Sequence, residues 1–120
     1  MKYFEELREL GVDVDAGLER VMGDESFYEM TLDMFLDSVD ENPIELTDFD
    51  ADDLETLIGR VHILKGLTGN LEMTPLFAGY MQALDLLRLN QPGKARKEYE
   101  QLLPVQEAII KPFPGNRSWT

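Results

Sequence analysis

Apolar residues recur along most of this chain at steps of three and four, the spacing that gathers side chains on one side of an α-helix. From Asp24 to about Asp40 the stripe is Tyr28, Leu32, Phe35, Leu36 and Val39. From about Ala51 to Leu71 it is Leu54, Leu57, Ile58, Val61, Leu64, Thr68 and Leu71. Thr74-Pro75 opens a third helix, with proline in its first turn, and Leu76, Tyr80, Ala83, Leu84 and Leu87 carry it to near Asn90. After the turn Pro92-Gly93, a fourth from about Lys94 carries Ala95, Tyr99, Leu102, Leu103, Ile109 and Ile110; Pro104 either kinks or divides it. Two short helices precede these. One covers residues 3 to 10 and stops at Gly11; the other runs from Asp15, as its cap, to Met22 and stops at Gly23.

Asn42-Pro43 breaks the pattern, and residues 44 to 50 form a connection whose geometry the pattern leaves open. Asp50, Asp52 and Asp53 then stand where carboxylates favour the positive end of a helix dipole. No stretch alternates as a strand does. The class predicted is all-α: an antiparallel up-and-down four-helix bundle with short extra N-terminal helices, one domain over residues 1–111 and a flexible tail over 112–120.

One helix has a second apolar stripe. Phe27, Met30 and Met34 lie nearly opposite Tyr28 and Leu32. The N-terminal helices cover them, since Phe4 and Leu7 need somewhere to pack, or they form a partly exposed, adaptable patch for docking another protein, or the two are mixed.

Composition narrows the function classes. A formal charge of -13 over 120 residues repels both a nucleic-acid backbone and an anionic membrane, so neither is expected as a partner. The absence of cysteine removes disulfides, thiol nucleophiles and thiolate metal sites. Residues 1–7 are acidic where a secretory signal needs an apolar run, and no segment has the apolar length of a membrane span; a cytoplasmic location is expected. The acidic run before the second long helix lacks the glycine and closing glutamate of a calcium loop, which leaves capping as its role.

The candidate chemistry sits on that second helix. Each residue turns a helix by about 100°, so Gly59, His62, Gly66 and Gly69 fall within an arc of roughly 80°. His62 is the only histidine, and three of the four positions have no side chain. A glycine inside a helix costs about 1 kcal/mol relative to alanine, so the stripe makes sense where bare surface is useful. Lys65, one turn on from His62, can reach whatever the ring carries. A neutral imidazole is nucleophilic near neutral pH, and the set suggests a carrier of an anionic group. A zinc site has no second histidine or cysteine to complete it, and Arg60 reads as a solvated charge.

His62-Ile63-Leu64-Lys65-Gly66, followed by Asn70-Leu71, resembles the His-x-Leu-Lys-Gly…Asn-Leu signature of histidine phosphotransfer domains, the modules of multistep phosphorelays. Gly17-Leu18-Glu19-Arg20-Val21-Met22-Gly23-Asp24, with Tyr28, Leu32 and Phe35, resembles the opening of such a domain, so the likeness spans roughly residues 15 to 110. Leu67 and Glu72 depart from it, where the family usually has a small residue and often a glycine. The family's polar partner for the imidazole would fall near Met81, Leu84 or Asp85, with Gln82 just off the line, and no assignment follows.

The resemblance implies that His62 accepts a phosphoryl group from a receiver-domain aspartate and passes it to another. Lys65 would offset its charge, and Gly66, with Gly59 and Gly69, would let the partner approach. Asn70 would bond either partner or backbone. Response-regulator receivers, and a hybrid sensor kinase, are the implied partners; they would bring the magnesium ion, and this chain would need no cofactor. A free-standing monomer without catalytic turnover of its own is expected. Two rivals remain: a helical adaptor on the same scaffold that binds without transfer, and a kinase with a phosphohistidine intermediate, for which no Gly-rich nucleotide loop is present.

Overall fold

A computed structural model describes residues 2–113 of the chain, and within them it is all-helical. Six α-helices follow in order: α1 Lys2–Glu9, α2 Val14–Arg20, α3 Glu25–Glu41, α4 Glu55–Asn70, α5 Thr74–Arg88 and α6 Pro92–Ile110. A 3-10 turn, Leu46–Asp50, bridges α3 and α4.

Two helix starts follow from short acidic side chains. Asp24 accepts the Phe27 amide at 3.2 Å and opens α3, since an oxygen at this position satisfies an amide that the first turn leaves free. For α2 the cap is Asp13, which accepts the Ala16 amide at 3.1 Å, and not Asp15 as the sequence suggested. Asp15 instead pairs with Arg8 of α1 at 2.9 Å. The connection left open is closed by reciprocal bonding between Glu45 and Asp48 around the 3-10 turn.

Three helices end on a non-glycine residue with positive φ: Met22 (57°), Glu72 (59°) and Asn90 (57°). In each case the next amide bonds back across the last turn, as Met73 does to the Thr68 carbonyl at 2.9 Å. Gly23, expected to end α2, is left-handed at 78° and its amide closes the last turn on the Leu18 carbonyl, with Met22 left-handed before it.

Leu32, Phe35, Leu36, Val61, Leu76, Tyr80 and Leu84 have no exposed surface, and this one core joins every helix. Each such side chain contributes about 1.5–3 kcal/mol relative to exposure. α5 packs along both α4 and α6, and α3 packs on α4. Two glycines make close packing possible. A Cβ on Gly17 would come within 2.5 Å of the Tyr28 ring, and one on Gly79 within 2.7 Å of Leu102.

Two phenols in the core are paired. The Tyr28 hydroxyl donates to the Leu71 carbonyl at 2.9 Å, and the Tyr80 hydroxyl bonds to Gln106 between α5 and α6. Burial raises the pKa of both phenols, and it pushes Tyr99 up to about 12.

α6 runs through Pro104 as one helix, so the proline does not divide it. Phe113, assigned to the tail from sequence, is buried with its ring 4.8 Å from Tyr3. The rest of the expected tail, residues 114–120, lies outside the described residues. Among the described residues no helix is long and apolar enough to cross a membrane.

Candidate functional site

α4 begins at Glu55, later than the acidic run suggested. Only Asp53 bonds at its start, accepting the Glu55 amide at 3.0 Å. Asp50 is drawn away to Arg96 of α6 at 3.5 Å.

The rotation of α4 is set by its core side. Leu57, Val61, Leu64 and Thr68 are buried, and the Thr68 hydroxyl spends its proton on the Leu64 carbonyl at 2.8 Å. That anchoring turns His62, Gly59 and Gly66 outward. The His62 imidazole is exposed and has no hydrogen-bond or ion-pair partner among the described residues. Of the α5 positions considered for orienting it, Leu84 is fully buried, while Met81, Gln82 and Asp85 are exposed and none bonds the ring. A ring held only by its own helix keeps its nitrogens available to an incoming group.

The three glycines of the stripe are not equivalent. A Cβ on Gly59 or Gly66 would meet nothing within 4 Å, so both leave bare backbone beside the ring. Gly69 is different. Its missing Cβ makes room for the Phe77 ring of α5, which would stand 3.0 Å away. Gly69 therefore permits α4 and α5 to pack, and its part in any approach to the ring is confined to the groove it lines with Lys65 and Gly66.

Lys65 is half-buried, and no carboxylate pairs with its ammonium among the described residues. Four arginines, Arg8, Arg20, Arg60 and Arg96, do find acidic partners. Among the described residues Arg88, Lys94, Lys97 and Lys111 have none either, so what marks Lys65 is its place one turn from the chain's only histidine. Lys65 lines a groove of about 340 Å³ with Gly66, Gly69, Asn70, Thr74 and Phe77. Exposed Asn70, the last residue of α4, also lines a second groove of about 350 Å³ with Phe27, Tyr28 and Thr31.

The second stripe of α3 is open to solvent. Phe27, Met30 and Met34 are about half exposed at 49%, 50% and 52%, and Ile63 of α4 is 55% exposed. Phe27 and Asn70 line one groove, Ser38 and Ile63 another, so the stripe runs alongside the α4 face that carries His62. Phe4 of α1 packs away from the stripe, meeting the Tyr28 ring edge-on at 5.3 Å, while Gly17, Arg20 and Val21 of α2 line the groove at Phe27. The stripe is thus only partly covered, and the expectation that the N-terminal helices cover it is corrected to that extent.

Two residues that support the site escaped the sequence reading. Arg60 is no solvated charge: one guanidinium nitrogen donates to the Asn42 carbonyl (2.6 Å), the Asn42 side chain (2.9 Å) and the Pro43 carbonyl (2.7 Å). Another nitrogen stands 3.6 Å from Asp48. Arg60 thus ties the chain break after α3 to the helix of His62. Arg20 of α2 pairs with Glu72 at 2.6 Å, which holds a non-glycine residue at the strained end of α4. Partners 52 residues apart leave no local trace in the sequence.

Among the described residues, no group of three or more metal-binding side chains is gathered. The arrangement offers instead one nucleophilic ring, one free cation, bare helix backbone and a flanking apolar stripe. Compared with protein-family models, with curated proteins and with solved structures, the chain finds no match in any of the three.

Proposed function

We propose that this chain is a phosphocarrier of the histidine phosphotransfer kind, with its long helices arranged as an antiparallel up-and-down four-helix bundle. The observation that carries the reading is the His62 imidazole, exposed and unbonded between two open glycines with an unpaired lysine one turn away. The signature around His62 and the open stripe beside it support the same conclusion.

In the forward step an imidazole nitrogen of His62 attacks the phosphorus of a receiver's aspartyl phosphate. The N–P bond forms as the acyl P–O bond breaks; the aspartate leaves as a carboxylate, and the other ring nitrogen keeps its proton. Transfer to a second receiver reverses these bonds. Phosphoryl transfer asks chiefly for in-line positioning and charge neutralisation, so a protein contributing one ring and one cation has enough to do its share. Lys65 draws the phosphoryl oxygens by charge, and Gly59 and Gly66 let the partner's active-site loops reach the ring. The receiver's own carboxylates and magnesium ion complete the site. Phe27, Met30, Met34 and Ile63 give the partner an apolar footing beside it. Receivers and the cytoplasm are the partners and compartment this reading implies.

The test is transfer of label from a phosphorylated receiver domain to the chain. The reading expects labelled chain in the wild type and none in His62→Gln. Binding without transfer would favour the adaptor, and labelling directly from ATP would favour a kinase.

A further inference from the structure

Five of the six methionines lie in the described part of the chain, and four of these are exposed. Met22 is 98% exposed, Met34 52%, Met30 50% and Met81 38%, while Met73 is fully buried. Methionine is ordinarily a core residue. With no cysteine present, the oxidisable sulfur of the protein is that of its six methionines. Met30 and Met34 also stand one turn apart on the same open stripe of α3 that runs beside the His62 face.

We infer that Met30 and Met34 form a peroxide-sensitive modification site that controls docking at the His62 face. The inference rests on the phosphocarrier reading for its consequence but not for its chemistry. A thioether sulfur attacks hydrogen peroxide, the O–O bond breaks, sulfur gains one oxygen as the sulfoxide, and peroxide is reduced to water. The sulfoxide is a polar acceptor where an apolar, adaptable side chain stood. A partner covering it must strip water from that oxygen. That desolvation corresponds to about a tenfold loss of docking. The fold survives because both side chains project outward, and sulfoxides are reducible by dedicated enzymes, so the change can be undone.

Peptide mass spectrometry of the full chain after graded peroxide treatment tests the chemistry first. Exposure sets the expected order: Met22 first, Met34 and Met30 together, Met81 next, and Met73 unoxidised while the helical signal persists. The consequence is tested by transfer from a phosphorylated receiver, each protein being normalised to its own untreated rate. Wild type should lose about tenfold in kcat/KM once Met30 and Met34 are oxidised, through KM, and a protein carrying Met30→Leu and Met34→Leu should lose nothing on the same treatment. Oxidation at both positions with an unchanged rate overturns the inference, as does an equal loss in the double variant. An untreated chain that transfers nothing overturns the phosphocarrier reading and the docking effect with it. The oxidation order is judged separately.

Discussion

Gly59 and Gly66 face nothing, whereas Gly17 and Gly79 face the Tyr28 ring and Leu102. Both pairs sit in helix interiors, where glycine weakens a helix by about 1 kcal/mol relative to alanine. For Gly17 and Gly79 close packing offsets that cost inside the molecule. For Gly59 and Gly66 no internal contact does; on the proposed reading a docking partner supplies the compensation. The same residue type thus marks a packed seam in one region and bare surface in the other, and the bare surface is where His62 stands.

The largest effect that separates the two regions should come from the ring itself. His62→Gln should abolish transfer from a phosphorylated receiver and leave the thermal melt in place, because the exposed ring contacts no buried partner. Gly17→Ala should do the reverse. Its Cβ meets a ring fixed by the bond to Leu71, so urea unfolding should register a loss of about 1–3 kcal/mol. Gly79→Ala should cost less, since the end of Leu102 can swing aside.

Lys65→Ala should slow transfer about tenfold, an effect that shrinks as salt screens the charge. Lys65→Arg should keep most of the rate. Smaller still, Gly59→Ala and Gly66→Ala should each stabilise the fold by about 0.5–1 kcal/mol in urea, since the methyl enters open space. If either destabilises, the open-surface account of that position fails. An alkaline titration reports on the packed seam. Burial raises the phenol pKa of Tyr28, Tyr80 and Tyr99, so the folded state holds these protons more tightly than the unfolded chain. Their contribution is complete below about pH 10 and is lost as pH rises past it. The tyrosinate absorbance of these three should therefore appear together with unfolding.

Much of this was legible from periodicity. The stripes of α3, α4 and α5 name most of the buried residues, with Val39, Leu54 and Ile58 only partly buried, and the rotation they impose on α4 puts His62 outside. What periodicity could not resolve was which bare position is open. Gly66 and Gly69 share a face, yet Phe77 of the neighbouring helix fills the space at one and not the other. Nor could it foresee Arg60, whose partners Asn42 and Pro43 lie across a chain break. Asp15 illustrates a different limit: Asp13, two residues earlier, meets the same capping rule and makes the capping bond, while Asp15 pairs with Arg8.

The most direct measurement uses the fact that the chain holds a single histidine. Long-range proton–nitrogen NMR of that imidazole, recorded before and after addition of a phosphorylated receiver domain, reads its two nitrogens separately. The account predicts that one nitrogen becomes phosphorylated, with phosphorus coupling at that site alone, as the receiver loses its label. An imidazole spectrum that stays unchanged while the receiver binds would contradict it.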